Sequence, residues 1–560
     1  MWSTAVPDWE RRLLAGESLV PDLPLFPEER DRALRIFNRL RLPDVVGQPK
    51  MEVAAGDWFR DIVAVLFGSL DPDANRRMVQ ELFLLVPKKN GKSSYAAAIM
   101  VVAMLVNRRP NAEFLLIAPT KEVAGIAYKQ ARNIIVADPE LAKAFKPPQD
   151  HIKTITHRRT GATLQIKAAD TDVITGSKST GILVDETHVF AKKPNAKEIF
   201  VEIRGALAAR PDGFMIQITT QSKEPPAGVF KSELSLARDI RDGLVTLPRL
   251  AVLYEIPDRM AKDGGWKNKD LWPLVNPNMG RSVDPTFLEN ELTAAERDGP
   301  DQLALLASQH FNVEIGQGLR ANGWAGAPHW ERNAVPGLDL ARVLERSEVC
   351  TIGIDWGGAD DLASLVVLGR DKDSKAWLCW SKSWARPSVF EQRKQIAPAL
   401  RDFEAQGDLA IAETGEDQAA DAADICEFVA QSGLLPEQNG IGLDAAGVAL
   451  LVDALEERKL TQPQVVAVAQ GWKLQTAIST LPLKLEDGRL KHGGQPIMAW
   501  AVGNAKQELR GSNYVVTKAA AGAAKIDPLM ALFNAAMLMF QNPAAARGPS
   551  VYESRGLLLA

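Results

Sequence analysis

Short apolar runs recur along the first half of the chain, at residues 82–86, 114–118, 163–167, 181–184 and 214–219, with segments of helical period between them. Short strands alternating with helices predict a mostly parallel sheet flanked by helices over residues 51–250. The rhythm then lapses. Gly264-Gly265, Pro273, Pro277 and several Trp mark residues 251–345 as a helical connector. A second strand rhythm begins near 350 (CTIGIDW, ASLVVLG, AWLCWSKSW, IGLDA) and closes with an apolar helix starting near Asp527, which gives a second α/β domain over 346–542. Residues 1–50, rich in charge and proline, read as a small helical appendage around EERDRALRIFNRLRL, and 543–560 as a mobile tail.

Length and composition narrow the class. At 560 residues the chain exceeds what one core usually supports. A net charge of −4 means that any nucleic-acid contact must come from local patches. Cys350, Cys379 and Cys426 form neither a zinc-ligand spacing nor an even disulfide set. No apolar stretch reaches bilayer length and the N-terminus lacks an apolar signal core, so a cytosolic-type chain is expected, with no membrane partner.

Two elements point to a nucleotide. The 82–86 run enters a turn, Lys88-Lys89-Asn90-Gly91-Lys92-Ser93-Ser94, before a helix. Such a turn aims backbone N–H groups and a helix N-terminus at phosphate oxygens. Lys92 would neutralise the β/γ-phosphates and Ser93 would ligate Mg²⁺. The strict motif requires glycine where Val86 stands, so the form is degenerate. The run 182–184 then ends in Asp185-Glu186, a metal carboxylate followed by one that can polarise water. Strands lead into both motifs and further strands lie between them, as in the additional-strand class of P-loop ATPases. Thr219-Thr220-Gln221 ends the next strand, where a polar cluster can sense the γ-phosphate and couple hydrolysis to movement. A plain strand–turn–helix and a polar strand end are the bland readings of the turn and of the threonines. His188 receives no assignment.

A second acidic set lies downstream. Asp355 ends the strand IGID, with Asp360 and Asp361 just beyond, Asp444 ends IGLD, and Asp527 opens the last helix. Three carboxylates from two strands and a helix can converge on two metal ions about 4 Å apart, an arrangement suited to phosphodiester hydrolysis. Taken singly, each is an ordinary strand end or helix cap. Residues 484–525 carry seven basic residues against three acidic ones, a local excess of four positive charges beside this set. A phosphate-backbone substrate would need such a segment, although a solvated face reads the same way.

On these features the chain resembles the large terminase subunits of tailed bacteriophages and prophages from about residue 51 to 540. The resemblance rests on the loop KKNGKS, the strand end VDETH, the connector pieces Trp272, Asn276-Pro277 and Phe311-Asn312, and the segments GIDWGGADD, HGGQPIMAWAVGN and KIDPLMAL. It implies a P-loop ATPase that drives double-stranded DNA into a procapsid, coupled to an RNase H-like, two-metal endonuclease (Mg²⁺ or Mn²⁺) that cuts concatemers. By position, Lys92, Ser93, Asp185 and Glu186 take the ATPase roles and Asp355, Asp444 and Asp527 the nuclease roles. The resemblance also implies a portal protein, a small terminase subunit and a ring on the portal as partners, and the cytoplasm of an infected bacterium, not the mature virion, as the place of action. Relatives contact adenine through a Gln following an aromatic; here Asp57-Trp58-Phe59 keeps only an aromatic, so Trp58 is expected to stack on the base. Lys88 stands where relatives commonly have Arg, which removes the bidentate fork. Arg204 and Arg210 are the arginine-finger candidates. Two rivals are a remodelling ATPase with an inactive nuclease-like domain and a non-enzymatic portal-docking component.

Overall fold

The computed structural model describes the chain apart from residues 1, 170–178, 194, 263, 316–322, 358–360, 394–395, 445–447, 511–512, 517–524 and 547–560. Asp360, Lys518, the Ala/Gly run 519–524 and most of the expected tail therefore lie outside the described residues. The chain divides into two compact units, Met1–Ile315 and Gly316–Ala560.

Seven strands build the sheet of the first unit: β1 (Glu81–Leu85), β2 (Glu113–Ala118), β3 (Thr154–Thr156), β4 (Thr163–Ala168), β5 (Ser179–Asp185), β6 (Phe214–Thr219) and β7 (Arg249–Leu253). Their order across the sheet is β3-β4-β2-β5-β6-β1-β7. Only the β3–β4 pair is antiparallel. Strand β6 lies between the loop-bearing strand β1 and the acidic strand β5, as the additional-strand class requires. Every residue of β5, β6 and β7 is buried, as expected of parallel strands covered on both faces. The short edge strands β3 and β7 both escape the sequence reading. Arg249 is held in the interior by Glu81 and Glu233.

Helix α1 (Pro27–Arg39) packs on α2 (Gly56–Gly68), with Phe37 fully buried and stacked on Phe59 at 5.9 Å. Residues before 50 thus share the apolar core of this unit. Further along come α3 (Lys92–Val106), which opens straight from the loop after β1, α4 (Ala196–Leu207), α5 (Gly228–Arg241) and α6 (Pro300–Phe311).

The second unit holds β8 (Ser347–Asp355), β9 (Ala363–Asp371), β10 (Trp377–Ala385), β11 (Leu409–Ile411), β12 (Ile441–Leu443), β13 (Val465–Ala467) and β14 (Leu490–His492), in the order β11-β10-β9-β8-β12-β13 with β14 on β10. The three long strands β8, β9 and β10 are antiparallel, and β12 and β13 continue parallel to β8. That is the RNase H-like arrangement. Helix α7 (Asp527–Met539) lies across β8. Thr351 Oγ1 donates to Ala535 O at 2.9 Å and Asn534 Nδ2 to Ile354 O at 2.9 Å. Gly353 permits this approach, because a Cβ there would run into Ala531 O and Ala535 N. The strand advances as the helix recedes, so the N-terminus of α7 arrives at the end of β8 that carries Asp355. Among the described residues no helix is long and apolar enough to cross a membrane.

Candidate functional site

Strands β1, β5 and β6 run parallel in adjacent register, Leu85 opposite Thr219 and Asp185 opposite Ile218. The turn after β1, the Asp185-Glu186 pair and Thr219-Thr220-Gln221 therefore emerge at one edge of the sheet. In the turn, Lys89 and Gly91 take positive φ, 71° and 76°. At Gly91 an added Cβ would strike the Tyr95 ring, which accounts for the glycine. Val86 N and Lys88 N are bonded to Thr219 O and Gln309 O. Among the described residues no internal acceptor takes the N–H of Lys89, Asn90, Gly91 or Lys92, which leaves successive donors for an anion.

Lys92 Nζ lies 3.2 Å from Glu186 Oε1, and His188 Nδ1 lies 3.2 Å from Glu186 Oε2. Burial pushes the Glu186 carboxyl up, but His188 and the Lys92 charge outweigh it and bring it down to about 2. Glu186 also sits at φ 56°, ψ 52°, a strained conformation for a residue other than glycine. Asp185 goes the other way. Burial, then the neighbouring Glu186 charge, raises it to about 6 against the Lys92 charge and a hydrogen bond from Ser93. Asp185 Oδ1 is buried and, among the described residues, accepts no hydrogen bond. A hydroxyl beside a carboxylate with one unsatisfied oxygen suits a Mg²⁺ ion. A proton on Asp185 would compete with that ion. Mg²⁺-dependent nucleotide affinity should accordingly fall as pH drops below about 6, approaching tenfold per unit. Calorimetry in buffers of different ionisation enthalpy should detect proton release near pH 6 that Asp185→Asn removes. Pure nucleotide binding with no proton release across pH 5–7 would count against the assignment.

His188 is the residue missed from sequence. Its backbone N–H donates to Thr219 Oγ1 at 3.1 Å and its Nδ1 lies 3.1 Å from the same hydroxyl, so it links Glu186 to the strand end of β6. Thr219 Oγ1 donates to Thr220 O, and Gln221 is held at its N–H by Asn312 Oδ1 and at its O by Gln309 Nε2. Lys88 is half-buried and lines a cavity of about 240 Å³ with Lys223, Gln309 and His310; burial, then Lys223, lowers its pKa. Lys89 is exposed, Ser93 and Ser94 are half-buried in the first turn of α3, and the Asn90 side chain is fully buried.

Three expectations need correcting. Trp58 is not open to a base: it is 8% exposed, meets Phe59, Tyr95 and Tyr254 edge-on, and donates its indole N–H to Asn278 Oδ1. Arg204 is bound to Glu81 and Glu233 at the opposite end of the strands, and Arg210 precedes β6 at that same far edge. Neither stands near the phosphate loop. The basic stretch 484–525 is partly committed internally. Lys484 lies over the Trp377 ring, Arg489 and Lys491 donate to Ser374 O and Asn333 Oδ1, and Lys525 pairs with Asp361 at 2.6 Å.

In the second unit Asp355 and Asp444 end the neighbouring parallel strands β8 and β12, and Asp444 N donates to Ile354 O at 3.3 Å. Asp527, fully buried, opens α7 at the same end, and Asp355 is 2% exposed. Among the described residues no three His, Cys, Asp or Glu side chains stand together as a metal cluster. The aspartates thus share a sheet edge without a closed coordination shell, and their all-oxygen donor set fits Mg²⁺ or Mn²⁺.

Comparison with known proteins agrees with this arrangement. Residues 57–234 match the family model for the terminase large subunit ATPase domain, and 254–542 that for its endonuclease domain. The terminase large subunit of Enterobacteria phage HK97 is 22% identical over 455 residues, covering 79% of this chain and 82% of its own. That of Lactococcus phage p2 is 23% identical over 488 residues, 81% of each. The crystal structure of the HK97 large terminase aligns over 90% of this chain and 98% of its own, with a TM-score of 0.44 and 18% identity. With an ATPase sheet carrying a phosphate loop and an RNase H-like sheet carrying aspartates at one edge, this chain belongs to the terminase large subunit family, an ATPase and endonuclease of phage DNA packaging.

Proposed function

We propose that the edge formed by β1, β5 and β6 hydrolyses ATP, with each residue in a distinct role. Lys92 and the free N–H groups of the loop bind the phosphates, Ser93 and Asp185 hold Mg²⁺, and Glu186 orients and polarises the attacking water. The observation that carries this reading is the pairing of Lys92 with Glu186 at 3.2 Å beside the Ser93–Asp185 contact. Glu186 is kept ionised by His188 and Lys92, as a water-polarising carboxylate must be. Bound Mg²⁺ would neutralise phosphate oxygens as charge develops. Thr219 reaches Glu186 through His188, so a shift at the carboxylate is felt at Gln221 and, through Gln309 and Asn312, in the connector.

In the second unit Asp355, Asp444 and Asp527 would hold two divalent ions, which would activate water and stabilise the leaving oxygen in cleavage of double-stranded DNA. The portal protein and a small terminase subunit are the expected partners, in the cytoplasm of the infected host. The ring forms on the portal. The chain shows neither heptads nor a long apolar seam for a permanent interface, so a monomer is expected in dilute solution. Sedimentation velocity at micromolar concentration should give a single monomeric species, and a stable ring without portal or DNA would contradict it. For the sites themselves the direct test is ATP turnover and plasmid nicking by the full chain, compared with the variants argued in the Discussion.

A further inference from the structure

The phosphate loop is gripped from behind by the segment 276–282. Asn90 is fully buried. Its Nδ2 donates to Pro87 O at 3.1 Å and to Asn276 Oδ1 at 2.8 Å, while its Oδ1 accepts from Asn278 N at 3.0 Å. Asn276 in turn donates through Nδ2 to Trp272 O at 3.3 Å and to His310 O at 3.0 Å. Asn278 accepts from Trp58 and donates to Tyr95 Oη at 2.6 Å and Ser282 Oγ at 2.9 Å. Ser282 Oγ then donates to Lys89 O at 2.5 Å. Within the loop, Lys89 is a non-glycine residue with positive φ, a conformation that persists only where its surroundings impose it.

We propose that Asn276, Asn278 and Ser282 are positioning residues of the ATPase: they lock the phosphate loop, through Asn90 and Lys89 O, in the conformation that presents its N–H groups to nucleotide. Four points support it. The side-chain amides of Asn90, Asn276 and Asn278 each have matched donors and acceptors, which fixes one arrangement. Asn90 and Asn276 are buried, so an alternative partner from water is remote. The bonds span 186 to 193 residues of sequence, so they exist only when the connector is docked on the loop. Through Asn276 and His310 O the lock is continuous with the last turn of α6, where Gln309 holds both Lys88 N and Gln221 O. The loop and the strand end of β6 are therefore referenced to one helix end. The three residues meet the loop at the Asn90 side chain and at Lys89 O. Their effect is preorganisation: a loop already shaped for phosphate does not spend binding free energy on ordering.

The inference rests on reading residues 88–93 as the nucleotide loop, and the test separates the two. Full-length chain carrying Asn276→Ala, Ser282→Ala, Ser282→Thr, Asn90→Ala, the Asn90→Ala/Asn276→Ala pair or Lys92→Ala is assayed for ATP turnover, for binding of a fluorescent ATP analogue with Mg²⁺, and for melting temperature. Asn276→Ala should raise KM for ATP about tenfold, the equivalent of one buried hydrogen bond, with kcat changed less than about threefold. Ser282→Ala should raise KM less, and Ser282→Thr, which keeps the hydroxyl, should restore it. The Asn90/Asn276 pair should be no worse than the worse single variant, because both cut the same clasp. A lower melting temperature with KM unchanged in both Asn276→Ala and Ser282→Ala would reduce these residues to structural support and overturn the proposal, as would multiplicative KM effects in the pair. Unweakened analogue binding by Lys92→Ala would instead overturn the reading of the loop itself.

Discussion

Glu186→Gln should leave ATP bound and almost unhydrolysed. The amide keeps the size of the side chain and one acceptor oxygen, so the loop N–H groups, Lys92 and the Ser93–Asp185 contact survive. What disappears is the negative charge that polarises water, and kcat should fall by about 10²–10⁴-fold. Affinity should hold or improve. Removing the Glu186 charge frees Lys92 from its 3.2 Å ion pair for the phosphates and takes away a like charge next to Asp185. The same change should lower the Asp185 pKa from about 6, since Glu186 is the second largest cause of its elevation, and should move the proton release that accompanies Mg²⁺ binding to lower pH. Lys92→Ala makes the contrast. There the loss of a charge-assisted contact should weaken nucleotide binding about 10- to 100-fold. Single-turnover kinetics with an equilibrium binding measurement separates the two variants, and parental turnover by Glu186→Gln would remove Glu186 from the water-polarising role.

What was legible in the sequence follows from the range over which each signal acts. The ATPase strands β1, β2 and β5 carry unbroken apolar runs, and burial on both faces writes itself into consecutive positions. The phosphate loop and the acidic strand ends are equally local, because a turn, a helix start and a carboxylate lie within a few residues. Side-chain partnership is not local. Trp58 as an upstream aromatic suggested a base platform, yet its indole N–H belongs to Asn278, 220 residues away. Counting charge over 484–525 found a basic segment, but nothing in the count could show Lys491 bound to Asn333 or Lys484 resting on Trp377. Arg204 was a reasonable finger candidate by residue type, and only the strand register puts it at the far end of the sheet with Glu81.

His188 illustrates the same limit from the other side. One histidine two residues after an acidic strand end is ordinarily structural, and no spacing rule singles it out. Its importance comes from Thr219, 31 residues on, whose hydroxyl takes both its backbone and its ring. The connector behaves likewise. Asn276-Pro277 and Phe311-Asn312 carried the resemblance as bare letters. Their physical content, the clasp on Asn90 and the hold on Gln221, depends on two segments meeting after the sheet has formed. For the nuclease unit the order of strands and helix was readable, since each aspartate terminates an apolar run or opens one. Gly353 shows how they come to share one edge: an unadorned backbone in β8 lets α7 settle close to the strand, with Asp527 toward the Asp355 end.

Asp355→Asn should abolish DNA cleavage while leaving ATP turnover intact. Asparagine keeps the shape and one acceptor oxygen of the carboxylate but supplies no charge to a divalent ion, whose ligands here are all oxygen. Loss of the ion removes several kcal/mol of transition-state stabilisation, so nicking with Mg²⁺ or Mn²⁺ should fall by about 10³-fold or more. The proposed ATP-hydrolysing edge is built on a different sheet, in Met1–Ile315. The variant should also fold, because asparagine matches the size and shape of Asp355, which is 2% exposed. A melting temperature close to the parent's, normal ATP hydrolysis and absent nicking on the same preparation form the expected set. Undiminished nicking would remove Asp355 from the metal site, and a fall in melting temperature with loss of both activities would show that the carboxylate holds the fold together instead.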